Sequence, residues 1–559
     1  MFPGAYNTSG PFSMVLESGP FAILPDRIET LASKLDGATL QIGLAMPDVP
    51  PGTRMPVVVQ ASPYFQPLEQ VPFAAQRDQG GIARLIANLV PRGYVVALLP
   101  VRGTADQGGC MDLMGPDEAA DLDQAITWLG TQEWSNGNIG MIGLSYDGST
   151  PWRVAALGNP HLKTIVSIAG VPSMFDLAFH NGSAGYVAPL IVYSYYPYGT
   201  REDRSLQHRV EGAVCPSSWE GIAASVASMP TAEPDPLGYW AARNARPGVE
   251  ASYHGSVLLA QGLMDWRAYP GLQYPWMSRL EEQGIVVKHL LGQWMHAYPD
   301  GNSDGDPTTN LHPRWDWAEI TARWFDSWLA GKDVDLGPRA QVQDSSGLWR
   351  SEADWPPPDA QSLTFYLGAA NELADAPGSD RGSFLLTPSP GAIDATLSYK
   401  YEPLMNDCPD CVQFVSEPLT RELRFAGLPQ VHVTVTPLGP GGHVSAVLYA
   451  EKGNHLQRLG WGQIDLRFAD GGTQAQPVVP GQPLLAQLEL EPLDAVVPAG
   501  GRLVLGVGQA SIAEHFPSVP TYPVQLDVGG DQSTLRVMAF ARGAEAFFEP
   551  PMGPSIPPG

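Results

Sequence analysis

A serine on a sharp turn between a buried strand and a helix is placed to attack a carbonyl, and residues 138–148 read that way. The apolar run Asn138-Ile-Gly-Met-Ile-Gly-Leu-Ser-Tyr-Asp-Gly148 ends in Gly143-Leu144-Ser145-Tyr146-Asp147-Gly148. Such a turn needs a small residue two positions before the serine, and Gly143 supplies it. Tight packing after it falls to Gly148, one position later than in the usual G-x-S-x-G elbow. A helix that opens at the serine aims backbone N–H groups at the site of a developing oxyanion. Serines flanked by glycines are common by chance. One that follows a buried strand and opens a helix is not, so Ser145 is read as a nucleophile.

A serine needs a base, and the base needs an acid to orient it. In an α/β sheet with a nucleophile elbow these follow in the order Ser, Asp, His, each in a loop after a strand. The apolar run 256–260 leads into Gln-Gly-Leu-Met-Asp265-Trp266, and the run 286–291 leads into Gly292-Gln-Trp-Met-His296-Ala-Tyr-Pro299. Asp265 and His296 are therefore the expected acid and base. Loop histidines are usually structural, but position and order single out His296; His289 lies within its strand. Asp147 is the rival acid, although its place in the elbow points it at the turn or at solvent.

The elements that must hold these groups divide the chain. Short apolar runs at 57–60, 95–99, 139–144, 164–168, 256–260 and 286–291 suit buried parallel strands. Helical patterns lie between them, such as Asp117–Leu129 with Ala120, Leu122, Ala125, Ile126 and Leu129 on its repeat. This alternation predicts an α/β doubly wound core over residues 1–171 and 241–355. Residues 172–240 break the rhythm and read as an inserted helical cap over the C-terminal strand edge, where α/β proteins bind ligands. Trp355-Pro356-Pro357-Pro358 can continue neither a helix nor a central strand. Of the 15 tryptophans only Trp461 lies beyond it. Short alternating runs follow, including Val431, Val433 and Val435, then Ile464, Leu466 and Phe468, then Leu488 and Leu490. Residues 356–559 are thus expected to form an all-β sandwich.

With these segments in place, the chain resembles the cocaine-esterase-like acyl hydrolases. Their superfamily includes α-amino-acid ester hydrolases, β-lactam acylases and Xaa-Pro dipeptidyl-peptidases. The resemblance rests on Asp36-Gly37, Val101-Arg102-Gly103 and the run from Trp134 through Gly137, Gly140 and Gly143 to Ser145-Tyr146. Gly262-Leu-Met-Asp265-Trp266, the His296 loop and Trp355-Pro-Pro-Pro with Phe365-Tyr366-Leu367-Gly368 extend it. It implies an α/β-hydrolase core, a helical cap and a C-terminal jelly roll. It also implies an oxyanion hole made by a tyrosine hydroxyl and the N–H after the serine, here Tyr64 and Tyr146. The implied activity is hydrolysis of carboxylic esters, and of amides by the same attack. Xaa-Pro dipeptide release and amino-ester or β-lactam acyl transfer are the alternatives. A non-catalytic protein that binds a ligand through its jelly roll is the alternative from another class. Arg267, two residues after Asp265, would repel an ammonium-bearing substrate if its side chain turned inward.

The resemblance implies a small acyl ester or a short peptide as the partner, and composition disfavours other classes. The net charge of −26 opposes nucleic-acid binding, which needs a basic surface, and disfavours an anionic membrane. No apolar run reaches the roughly 18 residues of a membrane span, and no basic-then-apolar leader opens the chain, so a cytoplasmic location is expected. Four cysteines, Cys110, Cys215, Cys408 and Cys411, are too few for a disulfide scaffold of this length. Cys408-Pro-Asp-Cys411 reads as two thiols or a local disulfide. Asp300-Gly-Asn302-Ser-Asp304-Gly305 imitates the start of a calcium loop, but Leu311 stands where its closing glutamate belongs, so it reads as a turn-rich loop. No phosphate-binding loop, dinucleotide fingerprint or zinc cluster is seen, and no cofactor or metal is expected.

Overall fold

Valines, isoleucines and leucines in short unbroken runs favour strands buried on both faces, and here they build a single central sheet. The computed structural model describes residues 19–76, 81–185, 220–221, 223–224, 235, 237–265, 267–300, 314–387, 411–453, 455–471, 474–509, 515–516, 521–541 and 547–549. The first strands are β1 (Arg27–Ala32), β2 (Thr39–Ala45), β3 (Met55–Ser62), β4 (Val95–Pro100), β5 (Ser135–Leu144) and β6 (Leu162–Ile168). A small hairpin, β7 (Phe179–His180) and β8 (Ser183–Gly185), precedes β9 (Ser256–Gly262), β10 (Val286–Gly292), β11 (Ala340–Gln343) and β12 (Trp349–Glu352). The sheet order is β1-β2-β4-β3-β5-β6-β9-β10-β11-β12, closed by Phe547–Phe548.

From β4 to β11 all neighbours run parallel, and β1, β2, β12 and Phe547–Phe548 add antiparallel edges. β3 is buried at every position. Val57 and Val59 face one apolar layer and Val58 the other, as the two-residue period of a strand requires. The chain leaves β3 for β4 and then crosses back to β5. The strand order therefore reverses between β3 and β5, and a crevice opens at their C-terminal ends. Helices α1 (Ile82–Leu89), α2 (Pro116–Thr131) and α3 (Tyr146–Ala155) are the crossovers that flank this point.

Two sequence marks of the resemblance meet here for structural reasons. Buried Arg102 pairs with Asp36 at 2.6 Å and with Asp121 at 3.2 Å, which locks the β1–β2 turn to α2. Gly103 has φ 73°, and a Cβ there would lie 2.3 Å from the Met111 nitrogen.

Among the described residues the C-terminal part is a 13-stranded, mostly antiparallel β assembly with its own apolar core, the jelly roll that follows the hydrolase domain. Val431, Val433 and Val435 are buried on one face of the strand Gln430–Pro437, as their alternation predicts. The run Ile464, Leu466, Phe468 departs from expectation. Its strand stops at Asp465, whose side chain accepts the Arg467 N–H and starts a 3-10 turn over Leu466–Phe468. All three apolar side chains are still buried. The described ends of the 172–240 insertion hold a five-residue helix, Met174–Ala178, and the β7–β8 hairpin, which pairs with His515–Phe516 of the C-terminal part. Most of the insertion lies outside the described residues.

A buried ionic network joins the two parts. Asp494 receives Arg350 at 2.6 Å, Arg424 at 2.5 Å and the Trp355 indole N–H at 2.8 Å. Arg350 also pairs with Asp344, and Arg424 with Glu352. Cys110 and Cys411 are both disulfide-bonded, and none of the described cysteines is a free thiol. Cys408 lies outside the described residues. No helix among those described is long and apolar enough to cross a membrane.

Candidate active site

Ser145 sits at the end of β5 with φ 64° and ψ −119°, a conformation that costs a non-glycine residue energy and persists only where its surroundings fix it. The surroundings are close. A Cβ on Gly143 would lie 2.4 Å from the Asp147 Cβ, and one on Gly148 would lie 2.6 Å from both the Gly143 and Ile168 carbonyl oxygens. Glycine at both places lets the chain double back on itself. The Ser145 N–H donates to the Ile168 carbonyl at 2.9 Å, and the Ser149 hydroxyl donates to the Ser145 carbonyl at 2.7 Å. α3 begins at Tyr146, so the first N–H groups of that helix lie beside the serine.

The next two residues come from the neighbouring strand ends. Asp265 follows β9, and His296 follows β10. His296 Nδ1 and Asp265 Oδ2 are 2.8 Å apart, and both residues are buried. The other Asp265 oxygen, Oδ1, accepts the main-chain N–H groups of Arg267 (2.9 Å) and Ala268 (3.1 Å). That carboxylate is therefore fixed on both oxygens. The two loops are laced together by Leu263 N–H to the Gly292 carbonyl (2.7 Å) and Met264 N–H to the Trp294 carbonyl. Gly262 permits this approach, since a Cβ there would sit 2.1 Å from the Trp294 oxygen. It is the Arg267 peptide that is tied into this loop, and Trp266 lies outside the described residues.

Tyr64 follows β3, across the switch point from the elbow. Its N–H donates to the Ser62 hydroxyl, and its half-buried ring meets the Tyr146 ring edge to face at 6.4 Å. β3 and α3 are tied by the Gln60 amide, which donates to Asp147 Oδ2 at 2.7 Å, and by the Thr150 hydroxyl on the Ala61 carbonyl. Of the two places expected for Asp147, the turn or solvent, burial excludes the second. Its carboxylate braces the elbow against β3. His296 Nδ1 is held by Asp265.

Sequence reading passed over Glu118, which lies wholly buried in the first turn of α2. Its Oε2 accepts the Tyr146 hydroxyl at 2.6 Å and the Met114 N–H at 3.1 Å. Burial pushes its carboxyl up to about 7, against the pull of these two bonds. The signal was present: Glu118, Leu122, Ala125 and Leu129 share one helix face, and a carboxylate on an apolar stripe requires a partner. Asp300, the first residue of the calcium-like motif, is buried and paired with Arg84 at 2.7 Å. The rest of that motif lies outside the described residues. Among those described, no group of three or more His, Cys, Asp or Glu is arranged to hold a metal ion.

Residues 36–298 match the family model of the X-Pro dipeptidyl-peptidases of the S15 family, and residues 332–529 match the model of their C-terminal non-catalytic domain. A Streptomyces avermitilis protein provisionally named Xaa-Pro dipeptidyl-peptidase is 26% identical over 89% of this chain and 79% of its own. The cocaine esterase of a Rhodococcus species (strain MB1 Bresler) is 25% identical over 66% of each chain. Among solved structures, an aminopeptidase from a marine-sediment Thaumarchaeota archaeon superposes with a TM-score of 0.70 at 19% identity, covering 93% of this chain and 96% of that one. An α-amino-acid ester hydrolase does so with 0.70 at 18%, covering 96% and 99%. These structural likenesses speak to the fold. With an S15 domain followed by its C-terminal partner domain, the chain is a serine hydrolase of the cocaine-esterase and Xaa-Pro dipeptidyl-peptidase superfamily.

Proposed function

We propose that Ser145, His296 and Asp265 form the catalytic triad of an acyl esterase. In this reading the core is residues 1–171 and 241–355, the cap 172–240 and the jelly roll 356–559. Ser145 Oγ attacks the substrate carbonyl carbon while His296 Nε2 takes its proton. Asp265 holds Nδ1, fixes the tautomer and stabilises the imidazolium. The Tyr64 hydroxyl and the Tyr146 N–H receive the oxyanion. As the C–O bond breaks, the imidazolium protonates the leaving alkoxide. Water, deprotonated by His296, then attacks the acyl-enzyme and releases the acid. The observation that carries this reading is the strained elbow of Ser145 at the end of β5, with the 2.8 Å His296–Asp265 pair on loops two and three strands away in the same sheet. The switch-point position of Tyr64 adds to it.

Release of Xaa-Pro dipeptides is the second reading, favoured by the family match over residues 36–298. Turnover of short-chain acyl esters beside Ala-Pro and Gly-Pro amides separates the two. The esterase reading expects kcat/KM for a neutral acyl ester to exceed that for the Xaa-Pro amides. The reverse order would replace it with the peptidase. Equal inertness towards all of them, with no labelling by a fluorophosphonate, would favour a binding role for the jelly roll.

A further inference from the structure

We infer that Glu118 is a positioning residue of the reaction: its carboxylate holds the Tyr146 hydroxyl and so fixes the peptide N–H that receives the oxyanion. The inference rests on the reading of Ser145 as the nucleophile. Tyr146 is the first residue of α3, and its N–H cannot shift without moving its Cα. A ring with two side-chain torsions, anchored at its far end, is a stiff strut between that Cα and α2. The anchor is a closed set of bonds. The Tyr146 hydroxyl donates to Glu118 Oε2 at 2.6 Å, and the Met114 N–H is shared between that oxygen and the tyrosine oxygen at 3.1 and 3.0 Å. Leu113 and Met114, which carry this N–H, have φ values of 47° and 59°. They form a second strained turn facing the one at Ser145.

Nothing in the packing of α2 calls for a carboxylate at this place. Glu118 is 0% exposed, and its second oxygen, Oε1, has no hydrogen-bond partner. A buried carboxylate is expensive to keep, and no arginine among the described residues is bonded to it. Arg153, the cation on α3, directs its two terminal nitrogens to the carbonyls of Val171, Pro172 and Arg243. Arg243 spends its own on Asp112, Leu113 and Tyr239. The charged and titratable groups that act on Glu118 are thus Tyr146, Asp112 and Arg153. The one side chain it bonds is that of the residue following the nucleophile. A bond from a hydroxyl to an ionised carboxylate is roughly twice as strong as one to a neutral acceptor. The strut therefore stiffens as Glu118 loses its proton, which burial delays to about pH 7.

The test uses the full chain and 4-nitrophenyl acetate as the probe ester, with Tm recorded for each variant. Tyr146→Phe and Glu118→Leu should lower kcat about ten- to a hundredfold, the cost of a donor displaced by a fraction of an ångström, and leave KM within about twofold. Glu118→Gln keeps an acceptor oxygen and should recover most of that loss. The ratio of wild-type to Glu118→Gln kcat should rise about fivefold between pH 6 and 8.5. A wild-type kcat in Tyr146→Phe, or a loss carried in KM alone, would overturn the inference. A pH-independent ratio, with Glu118→Gln as impaired as Glu118→Leu, would also overturn it and leave Glu118 a packing residue. If Glu118→Leu does not fold, Tyr146→Phe, which removes one oxygen, decides. Turnover that survives Ser145→Ala would overturn the nucleophile reading as well. Turnover that needs Ser145 but is unchanged in Tyr146→Phe would overturn only this one.

Discussion

Tyr64 has the most to distinguish between two roles. As an oxyanion donor its hydroxyl acts only when charge develops, so Tyr64→Phe should lower kcat by roughly 2.7–4 kcal/mol of barrier and hardly change KM. Steady-state kinetics with a neutral ester decides, and a change confined to KM would make Tyr64 a substrate contact. At this scale the sequence was readable where chemistry dictates local pattern. Gly143 and Gly148 announce a turn, and the contacts that a Cβ would meet at 2.4 and 2.6 Å explain why no other residue fits. It was unreadable where partners are distant in the chain. The sequence leaves Asp147 at the turn or at solvent, because its partner, Gln60, lies 87 positions away. The partner of Glu118, Tyr146, is 28 positions on, so only the apolar stripe around the carboxylate marks it in the sequence.

Elements set what those residues can do. The reversal of strand order between β3 and β5 puts the Tyr64 loop and the Ser145 turn side by side, and β9 and β10 deliver Asp265 and His296 at the same edge. The parallel strands were legible because each is an unbroken apolar run buried on both faces. The edge elements were less so. β12 and Phe547–Phe548 are too short to carry a pattern, and the strand ending at Asp465 stops where a polar side chain caps the next turn. β12 also carries Arg350, and its ion pair with Asp494 yields a prediction at this scale. Asp494→Ala leaves Arg350 and Arg424, both buried, without their shared carboxylate. Losing one partner of a buried pair typically costs about 3–5 kcal/mol. Urea unfolding should show a loss of that size, and an unchanged midpoint would mean that water or Asp344 and Glu352 neutralise the arginines unaided.

In the whole molecule the C-terminal β domain braces the loops that carry the proposed triad. Trp461 packs edge to face on Tyr269 at 5.1 Å, and Glu491 accepts the Gly271 N–H at 2.7 Å. Both contacts fall on the segment that follows Asp265. Gln293, three residues before His296, donates to the Asp494 carbonyl. A fragment of residues 1–355 would uncover this apolar contact and release both triad loops, so it should aggregate or lack activity. A soluble fragment with full kcat would contradict that account. The contacts across the proposed division at Trp355 were not legible, because Trp461 and Glu491 reach the acid loop from 192 and 220 residues away. The central claim is that one serine carries the chemistry. The measurement that tests it most directly is mass spectrometry of the full chain after reaction with a fluorophosphonate, beside ester turnover of the same sample. The account predicts one adduct, on Ser145, with turnover lost in proportion to labelling and neither labelling nor turnover in Ser145→Ala. An adduct on another residue, or Ser145→Ala turnover within about tenfold of wild type where loss of a triad serine typically costs about six powers of ten, would contradict it.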